Sequence, residues 1–528
     1  MRLLPLAAII SLLTVLTLNR LGAADVCGGS EAAMAVYVQQ MVEHNQLLFP
    51  LDNCSIPMYK PPLYHWTATA LALLSRQATA TPFNLRLPSA VYAIAGAILT
   101  MAFAANLLGH CGAILSGLIL CGSYQYISQA RIGLVDMTLT FFETLALYAF
   151  FGWFVLDSEV RAVSYGRTFL HYILASAMGL GVLAKGPVGV ILPGTAMLLF
   201  LVTEKSWTAL NHLFRAGPLI VGAAIASSWY FACFIGHHLN FLRLQIGAEN
   251  LGRFFGSLGT MPLWYYVQPL LFNSLPLSLF IPIAVISGLR RGSRPLASSI
   301  EPVGSCTPLA QNERAALAAR LLAIFWMFSV VFFEFASYKR RVYLLPLWPA
   351  SAVLLAWWLV DRVVPRVGGA LGMFIYRTAI GGCLLLAAAN FLFIPAYELH
   401  GCGAPFTLAA LFRWPSAGFT GESSDDSGQI ESYRKAAEQI NRLTYSTGPL
   451  YVLGIRDALE PFVFYLDRCV RPLRSPAAPP SVGYTIATES AWHRNTIQTS
   501  GLTSVARIPY DSDNLVLLRP PIAARRGR

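Results

Sequence analysis

Three side chains in this sequence are of types that can carry proton transfer or anion binding: Glu31, Lys60 and Asp136. Glu31 opens a helical stretch, Ser30 to Met41. The helix dipole favours a carboxylate there, and a pocket of reduced dielectric would tune it as an acid or base; the simpler alternative is a first-turn cap. Lys60 stands directly before Pro61 and Pro62 in Met58-Tyr59-Lys60-Pro61-Pro62-Leu63-Tyr64-His65-Trp66. The prolines fix an extended entry into an apolar helix, which would hold the ammonium at headgroup depth; its alternative is a snorkelling lysine. Asp136 opens an apolar run, an edge position where a carboxylate is costly unless it is paired or functional. Further cations stand at Lys185, Arg253 and Lys339-Arg340-Arg341. Glu249 lies one helical turn before Arg253 and could pair with it. Lys185 reads either as a helix-end residue or, with the 339–341 cluster, as part of a positive field able to recruit an anion.

The elements that must position these groups are mostly membrane spans. Of 528 residues 55% are hydrophobic and 12% charged, half the charge of a soluble chain. A set of soluble domains is excluded, and so is a soluble enzyme on one anchor. The formal charge of +12 sits in short loops between apolar runs, so anionic lipid, not nucleic acid, is the expected counter-charge. Runs long enough to cross about 30 Å of hydrocarbon occur near 3–21, 88–109, 111–127, 137–156, 168–184, 187–203, 216–235, 264–289, 320–336, 342–361 and 378–397, which predicts eleven spans. The stretch 61–74 is too short to cross and predicts a helix lying in the interface. Arg2, the following apolar run and Gly22-Ala23-Ala24 also fit a cleavable signal peptide.

With the N-terminus in the cytoplasm, an odd number of spans leaves the C-terminus outside. The positive-inside bias is then weak, because Lys60, Arg131, Lys185, Arg253 and Lys339 to Arg341 all fall on the outer side. Basic residues placed against the topological rule need another reason, and anion binding is one.

Composition changes after about residue 421. The polar linker Gly421 to Gly428 is followed by an amphipathic helical pattern at 430–444 and by strand patterns at Leu450 to Leu453, Ser481 to Thr485 and Leu515 to Leu518, with a helix at 457–466. The expected organisation is a transmembrane domain over 1–400 that includes an outer loop, 22–86, and a small outer α/β domain over 401–528. Cys27 with Cys54 is a plausible outer disulfide and Cys402 with Cys469 a second; no CxxC or metal-finger spacing occurs.

Ser30-Glu31 through Met41, Lys60-Pro61-Pro62-Leu63-Tyr64-His65-Trp66 and Leu85-Arg86-Leu87-Pro88-Ser89-Ala90 together resemble the N-terminal third of a bacterial GT-C membrane glycosyltransferase. The group is the polyprenyl-phosphate-sugar-dependent one that includes the aminoarabinose transferase of lipid A and the protein O-mannosyltransferases. Four more stretches follow in order: Ala130 to Leu139 with Asp136, Leu183-Ala184-Lys185-Gly186-Pro187, Glu249-Asn250-Leu251-Gly252-Arg253-Phe254, and Ser337-Tyr338-Lys339 through Pro346. The resemblance covers roughly residues 1–400.

The resemblance implies an inner-membrane enzyme that moves a sugar, with inversion, from a polyprenyl phosphate to a lipid, glycan or protein acceptor at the periplasmic face. It further implies that Lys60, Arg253 and Tyr343 bind the donor phosphate, that Lys185, Lys339 and Arg340 add to the same field, and that Asp136 and Glu31 are the catalytic carboxylates. Departure of phosphate from the anomeric carbon builds negative charge, which fixed cations stabilise. The sequence departs from the pattern at Ser30, where the group carries aspartate, and at Tyr59, where lipid A transferases carry glutamate. The mannosyltransferase base is therefore absent, and so is one carboxylate of the metal-associated set, which leaves a divalent metal cofactor doubtful. The other classes considered are a transporter or flippase for a lipid-linked solute, expected to show inverted repeats and midplane charges, and an inactive lipid-binding relative.

Overall fold

The computed structural model describes residues 4–26, 29–52, 56–158, 164–256, 260–272, 275–290, 311–401 and 433–444, and shorter pieces of 449–519: 449–453, 463–466, 468, 470–472, 483–489, 492, 502–508 and 514–519. Among the described residues seven helices are long and apolar enough to cross a membrane: Pro82–Gly122, Val135–Val155, Tyr165–Lys185, Ala216–Ile235, Gln311–Phe335, Leu347–Val367 and Gly369–Pro395. Three shorter apolar helical stretches, Leu4–Leu18, Val188–Thr203 and Leu277–Leu289, fall on further expected spans. The 41-residue helix Pro82–Gly122 holds the second and third expected spans and breaks at Gly109, whose positive φ of 69° only glycine adopts cheaply.

The expected continuous span 264–289 is instead divided into Val267–Phe272, Leu277–Leu279 and Ile281–Leu289. Pro269, Pro276 and Pro282 explain the division, since each removes a backbone donor and crowds the preceding turn. Gln311–Phe335 begins nine residues before the expected 320, because the alanine-rich stretch from Ala315 continues the helix.

The chain forms two compact units. The first comprises Met1–Asn19, Tyr59–Thr67 and Arg86–Phe393. In it the helix Val135–Ser158 packs on Ser164–Lys185 and Val188–Thr203, and Ser164–Lys185 packs on Ala216–Ile235. These contacts are made backbone to backbone: a Cβ on Gly179 would lie 2.6 Å from the Gly222 carbonyl oxygen, and one on Gly189 2.3 Å from the Gly181 carbonyl carbon. Small residues allow such approach where lipid supplies little driving force for helix association. Arg131, fully buried, donates through Nη1 to the carbonyls of Leu16 (3.0 Å) and Thr17 (3.2 Å) and so caps the end of the first helix.

The second unit comprises Arg20–Met58, Ala68–Leu85 and Ile394–Arg528. It holds the helix Gly29–His44, a two-stranded hairpin of β1 (Leu51–Asp52) and β2 (Ile56–Pro57), and a five-stranded sheet. That sheet runs in the order β4 (Val470–Pro472), β3 (Leu450–Leu453), β5 (Tyr484–Thr488), β7 (Leu515–Arg519) and β6 (Thr503–Ile508). Strand β3 pairs in parallel with β4 and β5, and β7 pairs antiparallel with β5 and β6. Ala487, Leu502, Val516 and Leu518 form a small core, and the Val26 N–H donates to the Tyr465 hydroxyl at 2.9 Å. Cys27, Cys54, Cys402 and Cys469, with both expected disulfides, and the linker 421–428 lie outside the described residues.

Candidate functional site

Within the first unit two helix ends meet. Asp136 occupies the first turn of Val135–Ser158 and Lys185 the last turn of Ser164–Lys185, so each charge sits at the dipole end that favours it. The Lys185 ammonium donates to the Asp136 carboxylate, and their side chains are only 13% and 8% exposed. Gly186 follows at φ +93°, and a Cβ there would lie 2.6 Å from Gln245 Nε2, so glycine is required for this close turn.

A second group lies beside the first. The π-helical turn Arg243–Gly252 runs into the short helix Arg253–Phe255 and places Glu249 and Arg253 one turn apart. Arg253 Nη2 sits 2.9 Å from both Glu249 carboxylate oxygens, and Lys60 donates to the same carboxylate from 189 residues away. Arg253 Nη1 donates to the Tyr343 hydroxyl at 3.2 Å. The Tyr343 ring closes the circuit, with Lys185 Nζ 4.5 Å from its centroid. Lys60, Lys185, Arg253, Tyr343, Asp136 and Glu249 thus form one continuous cluster.

Three cations face two carboxylates, which leaves one net positive charge in a partly desolvated place. Burial is the largest influence on Lys60; Glu249 offsets part of it, Arg253 adds to it, and the ammonium is lowered to about 8. Burial alone would raise the Glu249 carboxyl, but Lys60 and Arg253 outweigh it and hold that group below the usual carboxylate range. Burial works to lower Arg253, and Tyr343 and Glu249 overcome it, so the guanidinium stays charged. His65 is lowered to about 3, chiefly by burial and against a bond to the Pro61 backbone, and adds no charge at neutral pH.

Two of the expected phosphate contacts lie elsewhere. Lys339, almost wholly buried, spends its ammonium on the carbonyls of Pro262 (3.0 Å) and Met261 (3.3 Å) and stands 3.5 Å from Glu334. Arg340 is half-buried at the start of the turn Arg341–Leu344, and its carbonyl accepts from the Tyr343 N–H at 3.1 Å. Glu31 is buried in the first turn of Gly29–His44 and belongs to the second unit.

Gln125 is a supporting residue that the sequence offered no signal for. Its side-chain amide donates to the Arg341 carbonyl at 2.7 Å and accepts from Trp348 Nε1 at 3.1 Å, which fixes both sides of the turn that carries Tyr343. Among the described residues no group of three or more His, Cys, Asp or Glu could hold a metal ion.

Residues 59–231 match the family model described as dolichyl-phosphate-mannose-protein mannosyltransferase. An uncharacterised protein of Aquifex aeolicus is 26% identical over 360 residues, covering 68% of this chain and 64% of that one. The undecaprenyl phosphate-alpha-4-amino-4-deoxy-L-arabinose arabinosyl transferase of Pseudomonas aeruginosa is 25% identical over 345 residues, covering 64% of this chain and 57% of its own. These matches span less than two thirds of those relatives' lengths. Among solved structures, ArnT from Cupriavidus metallidurans bound to undecaprenyl phosphate shares the fold with a TM-score of 0.74 at 17% identity, over 99% of both chains. The archaeal oligosaccharyltransferase AglB from Archaeoglobus fulgidus follows at 0.51 and 11%, over 91% of this chain and 69% of its own.

Proposed function

We propose that this chain, which matches the protein mannosyltransferase model over residues 59–231 and shares the fold of ArnT, is a GT-C glycosyltransferase that transfers a sugar from a polyprenyl phosphate to an acceptor at the periplasmic face of a bacterial inner membrane. The observation that carries the reading is the net single positive charge of the Lys60, Arg253, Lys185, Asp136 and Glu249 cluster, with the Tyr343 hydroxyl beside it. A lipid-linked sugar phosphate is a diester with one negative charge, which this cluster balances. As the bond from the anomeric carbon to phosphate oxygen breaks, that phosphate gains further charge, and the same cations stabilise it more strongly than the ground state.

The acceptor oxygen attacks the anomeric carbon from the opposite side, with inversion, and the lipid phosphate leaves. A hydroxyl acceptor must also lose a proton. Asp136 is assigned that proton, with the Lys185 ammonium holding its carboxylate in place. A phosphate acceptor is already ionised and needs no base. Glu31 is retained as the second carboxylate of the reaction, and Glu31→Gln, compared with Asp136→Asn, separates the two. Lipid, glycan and protein acceptors are all compatible with this chemistry.

The test is incubation of the purified protein in lipid with a radiolabelled polyprenyl-phosphate sugar and extracts of lipid, glycan and protein acceptors. Label passing to one fraction, with release of lipid phosphate, is the expected result. Retention of donor without release would make the chain a binder, and label crossing the bilayer without transfer would make it a transporter.

The Lys60 ammonium gives a pH signature. Its value of about 8 lies below the usual lysine range, so the charged form that binds phosphate dominates at pH 7 and is lost as pH rises through that value. The donor KM is therefore expected to climb above pH 8, by up to about 10-fold per unit, in the parent but not in Lys60→Arg, since guanidinium stays charged there. Initial rates from pH 6.5 to 9.5 measure this, and parallel profiles for the two proteins would contradict it.

A further inference from the structure

The turn that carries Arg253 is fastened to the segment after the helix Gln311–Phe335 by a series of directional bonds. The Tyr338 N–H donates to the Arg253 carbonyl and the Ser337 N–H to the Phe254 carbonyl, both at 3.0 Å, and the Met261 N–H returns to the Ser337 carbonyl at 2.9 Å. Arg253 Cζ also lies 5.1 Å from the centroid of the Tyr338 ring. Next to Tyr338, Lys339 donates to the Met261 and Pro262 carbonyls and faces Glu334, whose Oε1 accepts from the Tyr266 N–H at 3.1 Å. Two side chains thus tie the far side of the loop, 261–266, to the segment that pairs with Arg253.

We propose that Lys339 and Glu334 are positioning residues for the donor phosphate: they touch no substrate and set the place of Arg253 through the 253–254 and 337–338 backbone pairing. The proposal rests on the phosphate-site reading above. A buried ion pair is a poor source of stability, because desolvation cancels most of its attraction and apolar residues of similar volume serve as well. What the pair supplies instead is direction, since an ammonium aimed at two carbonyls and a carboxylate aimed at one N–H fix the register of the loop against the helix end. The Lys339 side chain is 1% exposed, so its bonds are committed to protein groups. A guanidinium displaced by about 1 Å can cost about 100-fold in rate or binding.

Lys339→Met removes the ammonium at similar volume. Glu334→Gln keeps an acceptor for the Tyr266 N–H and removes only the charge. Both are expected to raise the donor KM by about 10-fold or more and, because Arg253 also faces the charge that develops on the phosphate, to lower kcat; Lys339→Met, which leaves Glu334 without its cation, is expected to lower the melting temperature in detergent as well. In an Arg253→Ala background Lys339→Met is expected to add less than about 2-fold, because its effect passes through Arg253. A full additive loss there would mean that Lys339 meets the phosphate itself, and an unchanged KM in both single variants would mean that the pair positions nothing; either overturns the proposal. An independent readout is deuterium labelling of the Tyr266 amide, which is bonded to Glu334, and of the Met261 amide beside it, which Lys339→Met is expected to accelerate severalfold. An unaltered rate also overturns the proposal. If the parent fails to retain undecaprenyl phosphate, the functional reading fails and the positioning role with it, while the labelling rate still decides whether Lys339 and Glu334 hold the 261–266 loop.

Discussion

Lys60→Ala is expected to lower kcat/KM for the lipid-linked donor by about 10²-fold to 10³-fold and to leave the protein folded in the membrane. Both halves follow from the same contacts. Lys60 shares the Glu249 carboxylate with Arg253, and Arg253 alone holds both oxygens of that group at 2.9 Å, so removing the lysine strands no buried charge. The cluster nevertheless drops from one net positive charge to none, and the departing phosphate loses a charge-assisted donor in a partly desolvated place. Charge-assisted bonds in such settings are worth about 2.7–4 kcal/mol to the transition state, hence the expected factor. Lys60→Arg should recover part of the loss, because charge is kept while the compact ammonium geometry is not. Donor turnover in proteoliposomes, with melting temperature as the control for folding, measures it; turnover within about 3-fold of the parent would remove Lys60 from the phosphate site.

The second large effect is expected at Asp136. Asp136→Asn keeps the shape and a bond to Lys185, and removes the negative charge, so a loss of about 10²-fold to 10⁴-fold in kcat with a hydroxyl acceptor would come from lost proton transfer and a less restrained Lys185. The variant protein should still retain donor, because Lys60, Arg253 and Tyr343 are untouched. Comparing kcat with the KM for donor separates the roles: a fall in kcat at steady KM is the expected pattern. Parent-like kcat in Asp136→Asn would exclude the carboxylate from the reaction, and a matching rise in KM alone would make it a binding residue.

Much of the helical architecture could be read from hydropathy because lipid imposes a strict demand: an apolar run near twenty residues long has few alternatives to a helix. The Gly109 break fell on the last residue of the second expected span, next to the gap before the third. Where prolines recur, as between Pro262 and Pro282, hydropathy stays high while the backbone cannot stay helical, and the expected span broke into pieces. Strands β4 and β6 went unread for a different reason. β4 is three residues long, and β6 is exposed along most of its length, so neither carries an alternating apolar signature.

In the candidate site the residue types were legible and the partnerships were not. Lys60 before two prolines, Asp136 at a helix start and Lys185 at a helix end are local signals. That Lys60 meets Glu249, Lys185 meets Asp136, and the Tyr343 ring and hydroxyl join the two pairs depends on tertiary packing that no local spacing encodes. Lys339 shows the limit most clearly. Its place in a basic triplet suggested an anion site, whereas the fold turns it onto carbonyl oxygens.

Cryo-electron microscopy of the protein in nanodiscs with undecaprenyl phosphate tests the phosphate site most directly. The expected map places the phosphate within about 3 Å of Lys60 Nζ, the Arg253 guanidinium and the Tyr343 hydroxyl, with Lys60 drawn off Glu249 toward it. A phosphate found away from these three groups, with the Lys60 and Glu249 pair intact, would contradict it.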